Sequence, residues 1–505
     1  MILINNKIMK NRFSFLFLLL LLGFSVFAQD GVYNIKDFGA IDDSTLLSTK
    51  AIQSAIDKCS EGGGGKVIVP PGNYLTNALF LKSNICFEVF PGATLFFDDN
   101  ISSSSIVEGR WEGIERKVYA SLFTGHNLKN VTITGRGTIN GQGKAWWDAS
   151  KINKSLRKKY NIQGREPHNP SDSPLKAPRP RMINLYNCTN VLISDLTILN
   201  SPSWTIHPVY CENITIEGIS IIQPYESPNT DGINPESCKN VRIFNCFVDC
   251  GDDCITIKSG YNEDGRRVGI PCENIVISNC TFAHGRSAIG IGSEMSGGIK
   301  NVTISNCVFN GTLRGLRIKT GRGRGGIVEN YRADNIVMTN VETAISIDMY
   351  YGNKGEDNME AITEKTPFFK NIHLSNITAI NVENAAQIIG LPEAPILDFS
   401  ITNSNFTSES GFEIKYVRNI ALRDVKVNCI KGNALDIKYG KDITIDNFGT
   451  GAPLKNEAVV NLQNNDDVYL LNCKATPDTD IFLKSTDTQN LNFGTNWFNS
   501  AKVLK

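Results

Sequence analysis

A short motif returns along most of this chain, with asparagine opening an alternating run of apolar residues. It stands at Asn130-Val131-Thr132-Ile133, Asn190-Val191-Leu192-Ile193, Asn213-Ile214-Thr215-Ile216 and Asn240-Val241-Arg242-Ile243. Copies follow at Asn274-Ile275, Asn301-Val302, Asn335-Ile336 and Asn371-Ile372, with weaker ones at Asn419-Ile420 and Asp442-Ile443. The usual interval is roughly 23 to 36 residues, the range of solenoid repeats. Each copy reads as a short strand, an Asn or Asp turn and a second strand. One such unit cannot bury its own apolar face, whereas a stack of them can. No alternation of strands and helices is visible after residue 60, which argues against a βα barrel. The expected fold is all-β, a right-handed parallel β-helix with one coil per repeat.

A solenoid needs covers at its ends. Residues 48–60 carry Ala51, Ile52, Ala55, Ile56 and Cys59 at helical spacing before a glycine run, and are expected to form an N-terminal capping helix. Two stretches interrupt the repeat. Gly143 to Pro180 holds Trp146, Trp147, many charges and several prolines, and Asp98 to Lys117 is serine-rich. Both read as long loops walling one end of a groove. The segment from about Gly451 reads as a terminal coil or tail.

The N-terminus is of another kind. Lys7, Lys10 and Arg12 precede an apolar run from Phe13 to Phe24, and Ala28 ends a small-residue stretch. This is the pattern of a secretory signal peptide, too short to span a membrane comfortably. The expected organisation is a signal peptide over 1–28 and a single domain over 29–505. Motif-bearing coils would cover about 180–351, with less regular coils over about 371–505. The chain is expected to be exported, to a periplasm or beyond, and to act as a monomer away from membranes. Lys plus Arg and Asp plus Glu both total 51, so no global charge points to nucleic acid, and any cationic site must be local. The 13 cysteines are an odd number for disulfides. Cys188, Cys246, Cys280, Cys307 and Cys473 each follow an asparagine at a similar place in the repeat, which favours a ladder of small buried side chains. Cys246, Cys250 and Cys254 tempt a metal reading, but the repeat already accounts for them and no His accompanies them.

Three acidic residues and a basic pair fall on successive repeats: Asp231 in Asn229-Thr230-Asp231, Asp252 and Asp253 in Gly251-Asp252-Asp253, and Arg317-Ile318-Lys319. Stacking would gather them. Glycosidic hydrolysis needs a protonated carboxyl for the leaving oxygen and a carboxylate that activates water or attacks the sugar. A cluster of like charges raises at least one pKa, which supplies the acid. Arg317 and Lys319 alternate by two, so both face one side of a strand, where they would hold an acidic sugar's carboxylate. Taken alone, the aspartates fit turns or a calcium site as well.

Together these motifs resemble the polygalacturonases, glycoside hydrolase family 28. The likeness runs from about Tyr33 to Tyr351, includes Asp37-Phe38-Gly39-Ala40 and Ile291-Gly292-Ser293-Glu294, and thins beyond. The resemblance implies inverting hydrolysis of α-1,4-linked galacturonate in pectin, with no metal and no cofactor. It makes Asp252 the general acid, gives Asp231 and Asp253 the water, and gives Arg317 and Lys319 the substrate carboxylate. One motif departs: the family's Gly-His-Gly is replaced by Ala283-His284-Gly285-Arg286-Ser287. Either His284 reaches the site through a shifted loop, or Arg286 takes its place. Tyr350, Tyr351 and His207 are further candidates for substrate contact, and Ser293 and Glu294 for support. The expected mode is exo, since the insertions would close one end of the groove. The alternatives are a decorated pectin such as rhamnogalacturonan, a calcium-dependent pectate lyase, and a non-catalytic polysaccharide-binding β-helix.

Overall fold

The computed structural model describes residues 31–165, 169–352 and 357–504; the expected signal peptide lies outside the described residues. The chain winds as a parallel β-helix. One ladder begins with Gly65–Val69, Ile85–Val89, Lys129–Thr134, Thr189–Ser194 and Glu212–Glu217, each paired in parallel with the next. It continues through Lys239–Phe244, Cys272–Ser278, Ile299–Asn310 and Ile327–Thr339. A second ladder carries the acidic motifs. It runs through Ile183–Tyr186, Ile206–Val209, a bridge at Ile233, and then Asp253–Ile257, Ser287–Gly292, Arg314–Lys319 and Thr343–Asp348.

Register puts like residues over like. Val131, Val191, Ile214, Val241, Ile275, Val302, Tyr331 and Ile372 form one column. All are at most 3% exposed. Cutting one such isoleucine to alanine costs roughly 2–5 kcal/mol.

Asparagine sets the corners. Asn130, Asn190, Asn213, Asn240, Asn274, Asn301, Asn330 and Asn371 all have φ between 56° and 60°, a left-handed turn that asparagine tolerates. Their amides form a continuous chain from coil to coil. Asn213 Nδ2 donates to Asn190 Oδ1 at 3.2 Å, and Asn240 Nδ2 donates to Asn213 Oδ1 at 3.0 Å. The repeat copy expected at Asn335 is out of phase with this column. The rung is Asn330, and Asn335 belongs to a second corner, where its Nδ2 donates to Asn306 Oδ1 at 2.8 Å. The strand Ile327–Thr339 runs through both corners, so two asparagines five residues apart each qualify.

The capping helix forms over Thr49–Glu61 and buries the five expected side chains. Two expectations change. The insertions are not plain loops: the first begins with the helix Lys144–Lys159, and the second holds the antiparallel hairpin Ile106–Trp111 with Ile114–Tyr119. Trp146 anchors the helix by packing edge-on against Tyr119, with ring centres 5.1 Å apart. The C-terminal coils keep their register: Ala458–Gln463, Asp466–Leu471 and Ile481–Thr486 pair in parallel with the coils before them. All thirteen cysteines are free thiols, and Cys188, Cys211, Cys238 and Cys272 stack as buried small side chains.

The corner asparagines make a distinct prediction. Asn213→Gly keeps the left-handed turn and loses only the amide rungs, whereas Asn213→Ala loses both. The alanine variant should be less stable than the glycine variant by about 1–2 kcal/mol, measured by chemical denaturation. Equal stability would show that the turn angle does not matter.

Candidate active site

The acidic motifs meet because backbone pairing stacks their turns. Asp231 O accepts from Thr205 N at 2.8 Å, and Gly232 N donates to Asp253 O at 3.0 Å. One coil on, Arg286 N donates to Asp252 O at 2.8 Å. The three side chains of Asp231, Asp252 and Asp253 each offer an oxygen within 4.8 Å of the others. That is closer than the roughly 6.5–9.5 Å between the working carboxyls of inverting glycosidases, so closeness is not what argues for inversion.

Three cations decide how the trio ionises. Lys319 Nζ lies 2.7 Å from Asp253 Oδ2, and Arg317 Nη1 lies 4.0 Å from Asp253 Oδ1. Burial opposes the charge on Asp253, but Lys319, Arg317 and Lys258 outweigh it and hold its carboxyl well below the usual range. Burial pushes Asp252 up, and the charge of Asp253 adds to the push. Asp231 is pushed up further, by burial first and then by Asp252. Asp231 Oδ2 accepts from Asn234 Nδ2 at 3.0 Å. Asp231 Oδ1 and Asp253 Oδ1 accept no hydrogen bond from the described residues.

The reach of Arg317 and Lys319 depends on glycine. In register, Thr256 stands under Gly290, Gly290 under Arg317, and Gly292 under Lys319. In those two columns the intervening coil contributes hydrogen atoms instead of side chains and both long arms cross it, while Ser287 stands over Asp253 itself and accepts from Arg317 Nη1 at 3.4 Å. A Cβ on Gly290 would lie 3.5 Å from Thr256 Oγ1, an ordinary contact, so backbone geometry does not require this glycine.

The other candidates separate. Arg286 joins the trio, with Nε 3.8 Å from Asp252 Oδ2. His284 does not: its Nδ1 lies 3.1 Å from Asp249 Oδ1, and its ring meets Tyr225 edge-on. Asp249 ends the neighbouring ladder strand Phe247–Asp249, so the two-residue step from 284 to 286 turns the chain from one ladder toward the other. The role expected for His284 is thereby corrected. Tyr351 lies beside the basic pair, 5.4 Å from both Arg317 Cζ and Lys319 Nζ. Tyr350 instead packs under Arg322 and bonds Asp357. His207 is wholly buried, with Nε2 2.9 Å from Glu236 Oε2, and burial lowers its pKa to about 4. It supports the coil as a neutral ring and does not meet substrate.

Sequence reasoning missed Lys258 and Arg179. Lys258 is buried beside the trio, 3.0 Å from Glu294, which in turn holds Arg165. Its signal was present: Thr256-Ile257-Lys258 has the same alternation as Arg317-Ile318-Lys319. Arg179 is buried and donates to Asn229 Oδ1 at 2.8 Å, two residues before Asp231. Nothing in its Pro-rich surroundings marked it.

Residues 59–419 match the family described as glycosyl hydrolases family 28. A probable polygalacturonase of Vitis vinifera is 37% identical over 380 residues, which is 73% of this chain and 73% of that protein. An endo-polygalacturonase of Pectobacterium carotovorum subsp. carotovorum is 30% identical, covering 74% of this chain and 88% of its own. Among solved structures, an exopolygalacturonase from Thermotoga maritima aligns with a TM-score of 0.66 at 32% identity, over 77% of this chain and 91% of that one.

Two outcomes follow from the geometry. Gly290→Ala should leave the melting temperature nearly unchanged but crowd the Arg317 arm, lowering kcat/KM by up to about 10²-fold; unchanged kcat/KM would show that the glycine gap is incidental. Asp231→Asn should abolish turnover yet raise stability. Because the folded pKa of Asp231 is raised, its contribution is fully present only below the unfolded value of about 3.9 and is lost as pH climbs through the folded one. The gain in melting temperature should therefore grow from acid toward neutral pH.

Proposed function

The chain belongs to glycosyl hydrolase family 28, and from this premise we propose that it hydrolyses α-1,4-linked galacturonate, from chain ends and with inversion. The single observation that carries the reading is the gathering of Asp231, Asp252 and Asp253 within 4.8 Å, with Lys319 Nζ 2.7 Å from Asp253 and Arg317 beside it. Polygalacturonase-type hydrolysis of pectin is the family's chemistry, and its relatives include both endo and exo enzymes.

In this reading Asp252, pushed toward its protonated form and less buried than its neighbours, donates to the leaving oxygen. Asp253 stays ionised beside Lys319 and takes the proton of the attacking water. Asp231 and Asp253 turn their unbonded oxygens toward that water and orient it. Arg317 and Lys319 pair with the galacturonate carboxylate, with Tyr351 against the sugar. Arg286, beside Asp252, adds a cation where a second carboxylate of the polymer would pass. Inversion rests on the family resemblance and follows from water attacking opposite the leaving group.

A calcium-dependent lyase would use the same aspartates as metal ligands. Lys319 at 2.7 Å already neutralises Asp253, and Lys258 lies beside the trio, which favours the hydrolytic reading. Export rests on the basic and apolar N-terminal segment.

Product analysis on polygalacturonate tests the mode. Monomer should appear from the first minutes and vanish in Asp252→Asn, and proton NMR of early product should show the β-anomer. Mixed oligomers would overturn the exo reading, an α-anomer the inverting one, and an ultraviolet-absorbing product that a chelator abolishes would replace hydrolysis by elimination. The pH profile tests the roles. Removing a nearby cation raises a carboxyl pKa, so in Lys319→Met the base Asp253 protonates at higher pH. The acid limb of kcat/KM should move up in that variant, and an unmoved limb would exclude Asp253 as the base.

A further inference from the structure

Two thiols bracket the turn that carries the working carboxyls. Cys250 and Cys254 stand on either side of Gly251-Asp252-Asp253, and neither has exposed surface. Their sulfurs lie 3.8 Å apart. The sequence sets them close to Cys246, but the fold separates them from it. Cys246 Sγ donates to Phe244 O at 3.3 Å, beside the end of the ladder strand Lys239–Phe244. Cys250 and Cys254 face each other across a single turn.

The contacts of the two thiols leave room for a bond between them. Cys250 Sγ donates to Asp252 O at 3.1 Å, and Cys254 Sγ donates to His284 O at 3.2 Å. Neither carbonyl depends on a thiol. Asp252 O also accepts from Arg286 N at 2.8 Å, and His284 O from Cys250 N at 3.3 Å. Losing both S–H groups therefore strands no buried acceptor. The backbone at Gly285 closes over the pair: a Cβ there would lie 2.7 Å from Cys254 Sγ and 3.6 Å from Cys250 Sγ, so glycine keeps the space open. A disulfide holds its sulfurs about 2.05 Å apart, so each would move by roughly 1 Å. The ring spans only residues 250 to 254, and closing so short a loop costs little chain entropy.

We propose that Cys250 and Cys254 are a modification site, joined as a disulfide in an oxidising compartment so that a covalent ring braces the turn of Asp252 and Asp253. The site rests on the export reading and is independent of the substrate. The bond forms by thiol–disulfide exchange with a small-molecule or protein disulfide. One cysteine thiolate attacks that disulfide, giving a mixed disulfide and releasing one thiol of the oxidant. The second cysteine thiolate attacks the cysteine sulfur of the mixed disulfide and releases the other thiol. Two electrons pass from the cysteines to the oxidant, and the two cysteine protons end on its thiols. Burial holds the Cys250 thiol well above its ordinary range, so the exchange precedes the closing of these coils. The ring then fixes the carbonyl of Asp252 that accepts from Arg286 N, and with it the approach of Arg286 to the Asp252 carboxyl.

Counting thiols tests this. The protein is refolded from denaturant in oxidised glutathione, unfolded with iodoacetamide and no reductant, digested with trypsin and weighed by mass spectrometry. Eleven of the thirteen cysteines should be alkylated. The peptide from Ile243 to Lys258 should carry the label at Cys246 alone and be two hydrogens short. Label on all thirteen cysteines, or a bond between other cysteines, overturns the site. Refolding in reduced glutathione should lower the melting temperature by about 2–4 °C, while Cys250→Ser should melt alike in both buffers. Equal melting of the wild type in the two buffers overturns the brace, and so does a difference that persists in Cys250→Ser. The same count on protein taken directly from fractionated cells keeps the two readings apart. A chain found only in the cytosol with free thiols, whose pair nonetheless closes on oxidative refolding, overturns export and supports the site.

Discussion

The asparagine corner is the constraint on which the rest of the molecule depends. Each corner holds its residue at a φ near +57°, a conformation that costs most side chains energy. Asparagine lowers that cost and gains an amide bond to the asparagine of the adjacent coil. The corner thereby fixes where every coil turns. Once the corners align, the spacing of adjacent strands is set at about 4.8 Å, and residues far apart in sequence must stand one above another. Asp231, Asp253 and Lys319 meet for this reason and not through local sequence. The same rigidity serves chemistry, because a bond-breaking site tolerates little misplacement.

Within that frame, charge is apportioned by distance along the stack. Three carboxyls this close cannot all ionise, and which of them does is settled by Lys319 and Arg317 two coils from Asp253 and by Lys258 on its own coil. Lys319 crosses the glycine coil to Asp253, so Asp253 carries the negative charge and Asp231 and Asp252 are driven toward their protonated forms. Lys258 is tied to Glu294, so that its charge is shared between the support and the trio. The arrangement trades stability for function, since Asp231 is buried where a neutral side chain would serve the fold better.

The repeat and the motifs were legible because both are local. Alternation, corner asparagines and the Asn-Thr-Asp, Gly-Asp-Asp and Arg-Ile-Lys runs can each be read in a window of a few residues. What escaped depends on register or on distant burial. Asn330 and Asn335 are equally good corners by sequence, and only pairing with Asn301 chooses between them. His284 and Arg286 are two residues apart, and which one meets Asp252 is decided by the bond from Arg286 N to Asp252 O. His207 looked available, yet Trp204 and Glu236 enclose it. The helix Lys144–Lys159 was hidden because the Pro-rich half of its insertion dominated the reading, and Trp146 needs Tyr119 from another insertion to bury it.

The two ends of the groove differ in kind, and the difference bears on how a polymer would lie. On the N-terminal side, the inserted hairpin and helix wall a cavity that reaches Asn229, two residues before Asp231. On the other side the coils themselves carry the surface. Lys319, Asp348, Ile389 and Lys415 follow one another in register. Tyr351 lies by the basic pair, and farther along Tyr416 and Tyr439 stack with ring centres 5.1 Å apart, with Lys415 5.0 Å from the centre of the Tyr416 ring. Aromatic faces with interleaved cations suit a repeating acidic sugar without fixing its length.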